Sequence, residues 1–184
     1  MESKSLENYL KSWAGKVVSQ SKSMLQSQKG STALGDSIDF KVEQDPNGWS
    51  VKFYMLDYGT FLDKGVSGNK VKRNFTNYKL AGETSPYSYK SKGPPIDILS
   101  KWVKKKGLKP KGWGKGRDKK SGRYVSGLAI YISHKIKEKG IPSLSFFSKP
   151  FGTEYSNLGE GILKALKLDI TTYITTFTKH KPKK

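Results

Sequence analysis

The sequence lacks the residue types that several kinds of chemistry require. It contains no cysteine, which excludes disulfide bonds, thiol catalysis and cysteine-based zinc sites. It contains two histidines, and a Ser-His-Asp triad would have to use one of them. His134 falls on a predicted helix away from its apolar face, and His180 falls in a basic tail. We therefore expect His134 to be a surface or interface residue and His180 to be solvated.

Long apolar runs are also missing. The first ten residues, MESKSLENYL, have no apolar signal-peptide core. No segment approaches the roughly 20 consecutive apolar residues of a membrane span. We expect a protein that is made and assembled in a cytoplasm and has no membrane partner.

Acidic residues are scarce, with 15 Asp and Glu against 35 Lys and Arg. Asp57, Asp63 and Glu83 are the carboxylates whose arrangement in the sequence comes closest to that of a nuclease metal site. Their spacing matches no motif, however, and we interpret them as turn-capping or solvated groups. The glycines of KPKGWGKGR do not form a P-loop, because Gly116 stands where Ser or Thr is required. We predict no catalytic, metal-binding or cofactor-binding residue, and no enzyme.

Positive charge is abundant, and half of the formal net charge lies in one segment. Residues 101–123 carry eleven Lys and Arg and one acid, a net +10 within a formal net charge of +20. Lysine predominates, which favours diffuse attraction over bidentate reading of bases. The residues predicted to contact DNA or an acidic surface are Lys104, Lys105, Lys106, Lys109, Lys111, Lys115, Arg117, Lys119, Lys120 and Arg123.

The same segment supports an alternative function. Trp113 and Tyr124 lie among the basic residues and could stack on single-stranded bases. This pattern is typical of a nonspecific nucleic-acid-binding protein. The other interpretation is a charged loop that stays mobile until a partner orders it.

Hydrophobic periodicity predicts an α+β fold, with an antiparallel β-sheet built on a hairpin at 37–56 and three to four packed helices. Apolar and polar residues alternate on both sides of the turn Asp45-Pro46-Asn47-Gly48, which predicts one buried and one wet face. Helical spacing predicts helices over 3–28, 94–107, 124–139 and from about 155–158 to 177. The segment 140–151, GIPSLSFFSKPF, is predicted to be an extended, largely buried turn.

The predicted organisation is an N-terminal amphipathic helix over 1–30, a single α+β domain over 31–178, and a basic tail over 179–184. The domain carries long loop insertions at 66–93 and 108–123. We expect the N-terminal helix to pack on its own core, with a neighbouring subunit as the alternative.

The irregular stretch 64–94 is predicted to be an arm that lies on another subunit, and limited proteolysis of the monomer should cut it first. Aromatic residues mark the predicted contacts with other subunits, both within this stretch and outside it. These interface candidates are Trp13, Phe75, Tyr78, Tyr87, Tyr89 and Trp113.

Three segments follow the hairpin in a recognisable order. They read YGTFLDKGVSG, PPIDILSKWVKKKGL and LAIYISHKIKEKGIPSLSFFSKPF, and a final helix follows them. This order, over roughly residues 37–177, resembles the head–tail connector and tail-completion proteins of the neck of tailed bacteriophages. Weak individually, the motifs carry the resemblance through their order and spacing.

The resemblance implies a structural virion protein rather than an enzyme. Such a subunit stands in a ring in the neck or tail, bridges the portal and the tail, and lets DNA pass. Its implied partners are copies of itself, the neighbouring portal, neck and tail proteins, and, through nonspecific contact, the genomic DNA.

Overall fold

The computed structural model describes residues 4–29, 32–108, 115–117 and 124–179. The fold is α+β, as predicted. In chain order its elements are α1 (Lys4–Lys29), α2 (Ala33–Ser37), β1 (Asp39–Asp45), β2 (Gly48–Tyr54), α3 (Gly59–Lys64), β3 (Asn74–Thr76), β4 (Gly82–Thr84), α4 (Ile96–Lys105), β5 (Lys115–Arg117), β6 (Tyr124–Ser126), α5 (Gly127–Lys139), α6 (Ser148–Tyr155) and α7 (Leu158–Lys179).

The chain divides into two compact units that interleave along the sequence. Unit 1 comprises residues 1–59, 76–81 and 145–184, and unit 2 comprises residues 60–75 and 82–144. We predicted no boundary inside residues 31–178. The two units differ in net charge. Unit 2 has twenty basic and five acidic residues, whereas unit 1 has fifteen basic and ten acidic residues.

Helix α1 forms the core of unit 1. Its buried face packs against the β1–β2 sheet and against α6 and α7. The sheet is the predicted antiparallel hairpin, and its register places Phe40 opposite Phe53 and Val42 opposite Val51. These apolar side chains cover α1, which confirms that the N-terminal helix packs on its own core.

The other face of the sheet is polar, as the alternation predicted. There Glu43 forms ion pairs with both Lys41 and Lys52. Hydrogen bonds from these two ammonium groups, Lys41 first, lower the pKa of Glu43 to about 2.

A carboxylate from the far end of the chain caps α1. Asp169 of α7 is buried, and its two oxygens accept hydrogen bonds from the backbone amides of Ser5, at 2.9 Å, and Leu6, at 3.1 Å. Burial by itself raises the pKa of Asp169, but hydrogen bonds from Ser5 and Leu6 outweigh it and hold the pKa below its ordinary value of 3.8. The carboxylate thus satisfies two amides at the N-terminus of α1, where a negative charge is also favoured.

Removing this cap should make the stability of unit 1 less dependent on pH in the acidic range. A carboxyl group whose pKa is lowered on folding stabilises the fold above its unfolded pKa, and this contribution is lost as the pH falls through the folded pKa. Asp169→Asn should therefore lower the Tm at pH 7 by on the order of 3 °C. The deficit should shrink below pH 3.8. Circular-dichroism melts at pH 7 and pH 3 measure both effects.

The control for this experiment is Asp45→Asn, which removes an exposed carboxylate from the hairpin. A deficit for Asp169→Asn that stays equal at both pH values, or that matches the control, would remove the capping role.

Unit 2 is built on the pair α4 and α5, with the β5–β6 ladder beside them. Helix α4 begins directly after Pro95 and ends before Gly107, whose φ of 64° suits a glycine at a helix end. Helix α5 ends at Gly140, as predicted. It begins at Gly127, three residues later than expected, because residues 124–126 form β6 instead.

Two further predictions of local structure were wrong. The last third of the predicted extended turn at 140–151 is helical, since α6 starts at Ser148 and Pro150 occupies its first turn, where a missing amide costs little. The stretch 66–93 is less irregular than expected. It contains β3 and β4, and backbone hydrogen bonds join Ser67 to Tyr87 and Tyr89.

Candidate interaction surfaces

The aromatic interface candidates differ in how much of each side chain is accessible. Trp13 and Phe75 are buried, at 6% and 7% exposure. Trp13 packs edge-on against Phe53 and Phe151, and its indole N–H donates to the carbonyl of Glu154 at 3.0 Å. Side chains already covered by their own chain have little area left for a partner, so burial does not support either residue as an interface candidate, although Trp13 forms part of the wall of an apolar groove in unit 1.

The remaining aromatic candidates are more accessible. Tyr87 and Tyr89 are half-buried, and Tyr87 packs against Phe61 at 4.5 Å between ring centroids. Tyr78 is 47% exposed and meets the ring of Tyr155 edge-on in unit 1. Trp113 lies outside the described residues. Tyr78 is therefore the candidate with the largest described free area.

The described part of the basic surface is the end of α4. Lys104, Lys105 and Lys106 are all exposed, and Trp102, one turn earlier, is 44% exposed. The last turn of a helix favours cations, which stabilises this local concentration of lysines. Of the other predicted contacts, Lys115 and Arg117 have backbone positions in β5. The following lie outside the described residues: Lys109, Lys111, Lys119, Lys120 and Arg123.

The motif segments of the resemblance meet in unit 2. Val66 and Ile141 exchange backbone hydrogen bonds of 2.9 and 2.7 Å. The amides of Asn69 and Lys70 then donate to the carbonyls of Lys137 and Glu138 at the end of α5. The segment after α3 thereby satisfies acceptors that a helix C-terminus leaves open. We refer to this contact between residues 62–73 and 137–144 as the backbone crossing.

Glycines allow the two chains of the backbone crossing to approach. A Cβ on Gly68 would lie 2.1 Å from the carbonyl oxygen of Glu138, and a Cβ on Gly140 would lie 2.0 Å from that of Val66. Gly140 also has φ of 73° and ψ of −170°, a backbone region that only glycine adopts without strain. The glycines of LDKGVSG and EKGIPS thus permit the close backbone contact that joins the segment after α3 to the end of α5.

Unit 1 has an apolar groove of about 590 Å³. Its walls come from β2, α1, α6 and the first two turns of α7, and include Trp49, Phe53, Tyr155 and Ile162. The groove was not evident from the sequence, because its lining residues are scattered over four elements.

Helix α7 also presents apolar residues to solvent. Leu163, Ile170 and Ile174 are 69%, 51% and 56% exposed, and their spacing of seven and four places them on one helical face. Tyr173, beside them, is 54% exposed. We call this set the α7 stripe. Its helical periodicity was recognised in the sequence, but its exposure was not.

The side chains that were considered as catalytic groups do not come together in one site. His134 is exposed on α5, as expected for a surface residue. Asp63 is buried, whereas Asp57 and Glu83 are exposed. Over the described ranges, no three His, Cys, Asp or Glu side chains come together in a group that could hold a metal ion. Among the described helices, none is both long and apolar enough to traverse a bilayer.

No protein-family model, no curated protein and no solved structure matches the chain.

Proposed function

We propose that the chain is a structural subunit of a ring in the neck or tail of a tailed bacteriophage, where it bridges portal and tail while DNA passes. One observation carries the proposal beyond the sequence resemblance: most of the net charge lies in unit 2, whereas the row of exposed apolar residues on α7 lies in unit 1. Unit 2 holds three quarters of the net charge, +15 of +20, and unit 1 holds the remaining +5. A ring subunit that lies beside DNA needs both kinds of surface.

The basic surface fits DNA that must slide. Lysines attract phosphates through long-range, salt-sensitive forces and do not fix a base sequence. Lys104, Lys105 and Lys106 share the end of one helix and all face solvent. Such a surface would retain DNA without stopping it, and it could equally dock on an acidic protein.

The apolar surface fits contact with other protein chains. Exposed apolar side chains that share one helical face mark interaction sites more often than isolated ones do. Heterologous contacts between identical subunits close into a ring when the rotation between them permits. The α7 stripe therefore supports a subunit that acts within an assembly.

The test is the copy number of the chain in purified, DNA-filled particles, measured by quantitative mass spectrometry and referred to the portal protein. Closed symmetry fixes this number at a small whole value, on the order of 6 or 12.

The exposed Trp102 beside the exposed lysines favours a second candidate function. A base-stacking side chain next to phosphate-attracting charge is the arrangement of a nonspecific nucleic-acid-binding protein. This alternative predicts tight binding of DNA by the isolated chain at physiological salt. The ring proposal predicts weak binding by the isolated chain, which becomes effective only when many copies line a channel.

A further inference from the structure

We propose that the last three turns of α7 in one copy occupy the apolar groove of the next copy, so that the copies associate head to tail. This inference rests on the proposed function, because it assigns the surfaces through which a ring would form. Both surfaces belong to unit 1.

The last turns of α7 are unusual for an exposed helix. Helix α7 runs antiparallel to α1 and reaches the α1 N-terminus at Asp169. Beyond that point Ile170 through Thr176 and Thr178 are all exposed. The nine residues between Asp169 and Lys179, ITTYITTFT, include no charge, although 27% of the chain is charged. The end of a helix that stays exposed to solvent would normally carry charged residues.

Most of the threonine hydroxyl groups of this segment are satisfied within the helix. Four of its five threonines donate to a carbonyl one turn earlier, at 2.8 to 3.0 Å. A threonine bonded in this way presents its methyl group and leaves no donor that must be desolvated. Burial of these turns against another chain would therefore cost little and would remove the exposed apolar area of Ile170, Tyr173 and Ile174 from water.

The apolar groove has the complementary chemistry. It is lined by apolar and aromatic side chains, and its volume of about 590 Å³ can hold a few large side chains. Neither surface carries the net positive charge that would repel a second copy of the chain. The groove and the α7 stripe thus match in polarity.

The groove cannot be filled by the stripe of the same molecule. Leu158 and Ile162, in the first turns of α7, form part of the groove wall. Ile174 lies twelve residues further along the same continuous helix, about 18 Å away at 1.5 Å per residue. A straight helix cannot fold back onto its own first turns, so if an α7 stripe fills the groove, it must be the stripe of another copy. Contact between two different surfaces of identical chains is heterologous and generates rings or filaments.

Disulfide trapping tests this contact, because the chain has no cysteine of its own. Ile174→Cys on the α7 stripe and Tyr155→Cys on the groove are made as separate full-length proteins. Both native side chains are exposed, at 56% and 47%, so both variants should fold. The two are mixed and oxidised, with one of them ¹⁵N-labelled so that the mixed product has its own mass. The matched control is Leu168→Cys, also exposed on α7 at 57% but on a different face.

We expect a mixed disulfide between Ile174→Cys and Tyr155→Cys at several-fold higher yield than between Leu168→Cys and Tyr155→Cys. A dominant product of Ile174→Cys with itself would mean that α7 pairs symmetrically with α7 and would overturn the inference. Equal yields for stripe and control, or no product at all, would also overturn it and assign the stripe to a different protein.

The outcomes for this contact and for the proposed function can be separated. A mixed disulfide in a protein that is absent from particles would retain the head-to-tail contact and remove the phage role. A fixed ring copy number in particles without the mixed disulfide would retain the role and remove this contact.

Discussion

Gly140→Ala is expected to destabilise unit 2 by about 3 kcal/mol or more. The new Cβ would lie 2.0 Å from the carbonyl oxygen of Val66, which is backbone and cannot rotate away. The dihedral angles of Gly140 add strain, because they lie in a region that other residues avoid. Relief would require the backbone crossing to open. Urea unfolding gives the loss of free energy, and hydrogen exchange of α5 peptides locates it.

The matched control is Gly107→Ala. Gly107 also has a positive φ, 64°, but nothing lies within 4 Å of a Cβ placed on it. In this variant only the strained backbone conformation lowers the free energy of unfolding, by about 1 kcal/mol. The difference between the two variants therefore measures the close approach at the crossing together with the additional backbone strain of Gly140. Equal losses for Gly140→Ala and Gly107→Ala would show that the crossing contributes nothing.

Replacing Lys104, Lys105 and Lys106 together by glutamine should weaken DNA binding and flatten its salt dependence. Each lost phosphate contact lowers the slope of log K against log salt by about 0.9, so three contacts lower it by up to about 2.7. The three side chains are exposed at the end of α4, where glutamine keeps the helix intact. Fluorescence anisotropy with a random-sequence duplex from 50 to 200 mM salt measures the slope.

The control removes the same number of charges from unit 1. Lys11, Lys52 and Lys164 are exposed but already paired with Glu7, Glu43 and Glu160, so their replacement should change the slope little. An equal effect of both triple variants would show that net charge alone matters and not the end of α4. Tight binding by the unsubstituted chain at physiological salt would favour the nucleic-acid-binding alternative over the ring.

Local features of the fold were predictable where the signal lies within a few residues. Strict alternation around Asp45-Pro46-Asn47-Gly48 predicted the hairpin, and Pro95, Gly107 and Gly140 predicted helix ends. Each of these residues acts through its own backbone or its immediate neighbours, so one sequence suffices to interpret it.

Features that depend on distant partners were not predictable. Asp169 caps a helix 164 residues away, and no local pattern distinguishes it from a solvated carboxylate. Trp13 has the same helical spacing whether Phe53 and Phe151 or a neighbouring subunit cover it. Gly68 is indistinguishable from a loop residue and Gly140 from an ordinary helix end, although each is also required by the close approach of another segment of backbone.

The candidate surfaces were likewise predictable where the signal is local and not predictable where it depends on distant residues. The excess of lysine near α4 was evident from composition, and the structure adds that three of these lysines share one helix end. The helical periodicity of α7 was evident in the sequence, but the exposure of Ile170, Tyr173 and Ile174 depends on where α1 begins, which the pairing of Asp169 with Ser5 and Leu6 marks. The groove combines four elements, and no single segment indicates it.

The ring role is tested most directly by counting the chain in purified, DNA-filled particles against the portal protein. The proposal predicts a fixed whole number of copies, on the order of 6 or 12, that survives stringent washing and nuclease treatment. Absence of the chain from clean particles, or a variable amount that nuclease removes, would contradict the ring role and would leave nonspecific DNA binding as the better account.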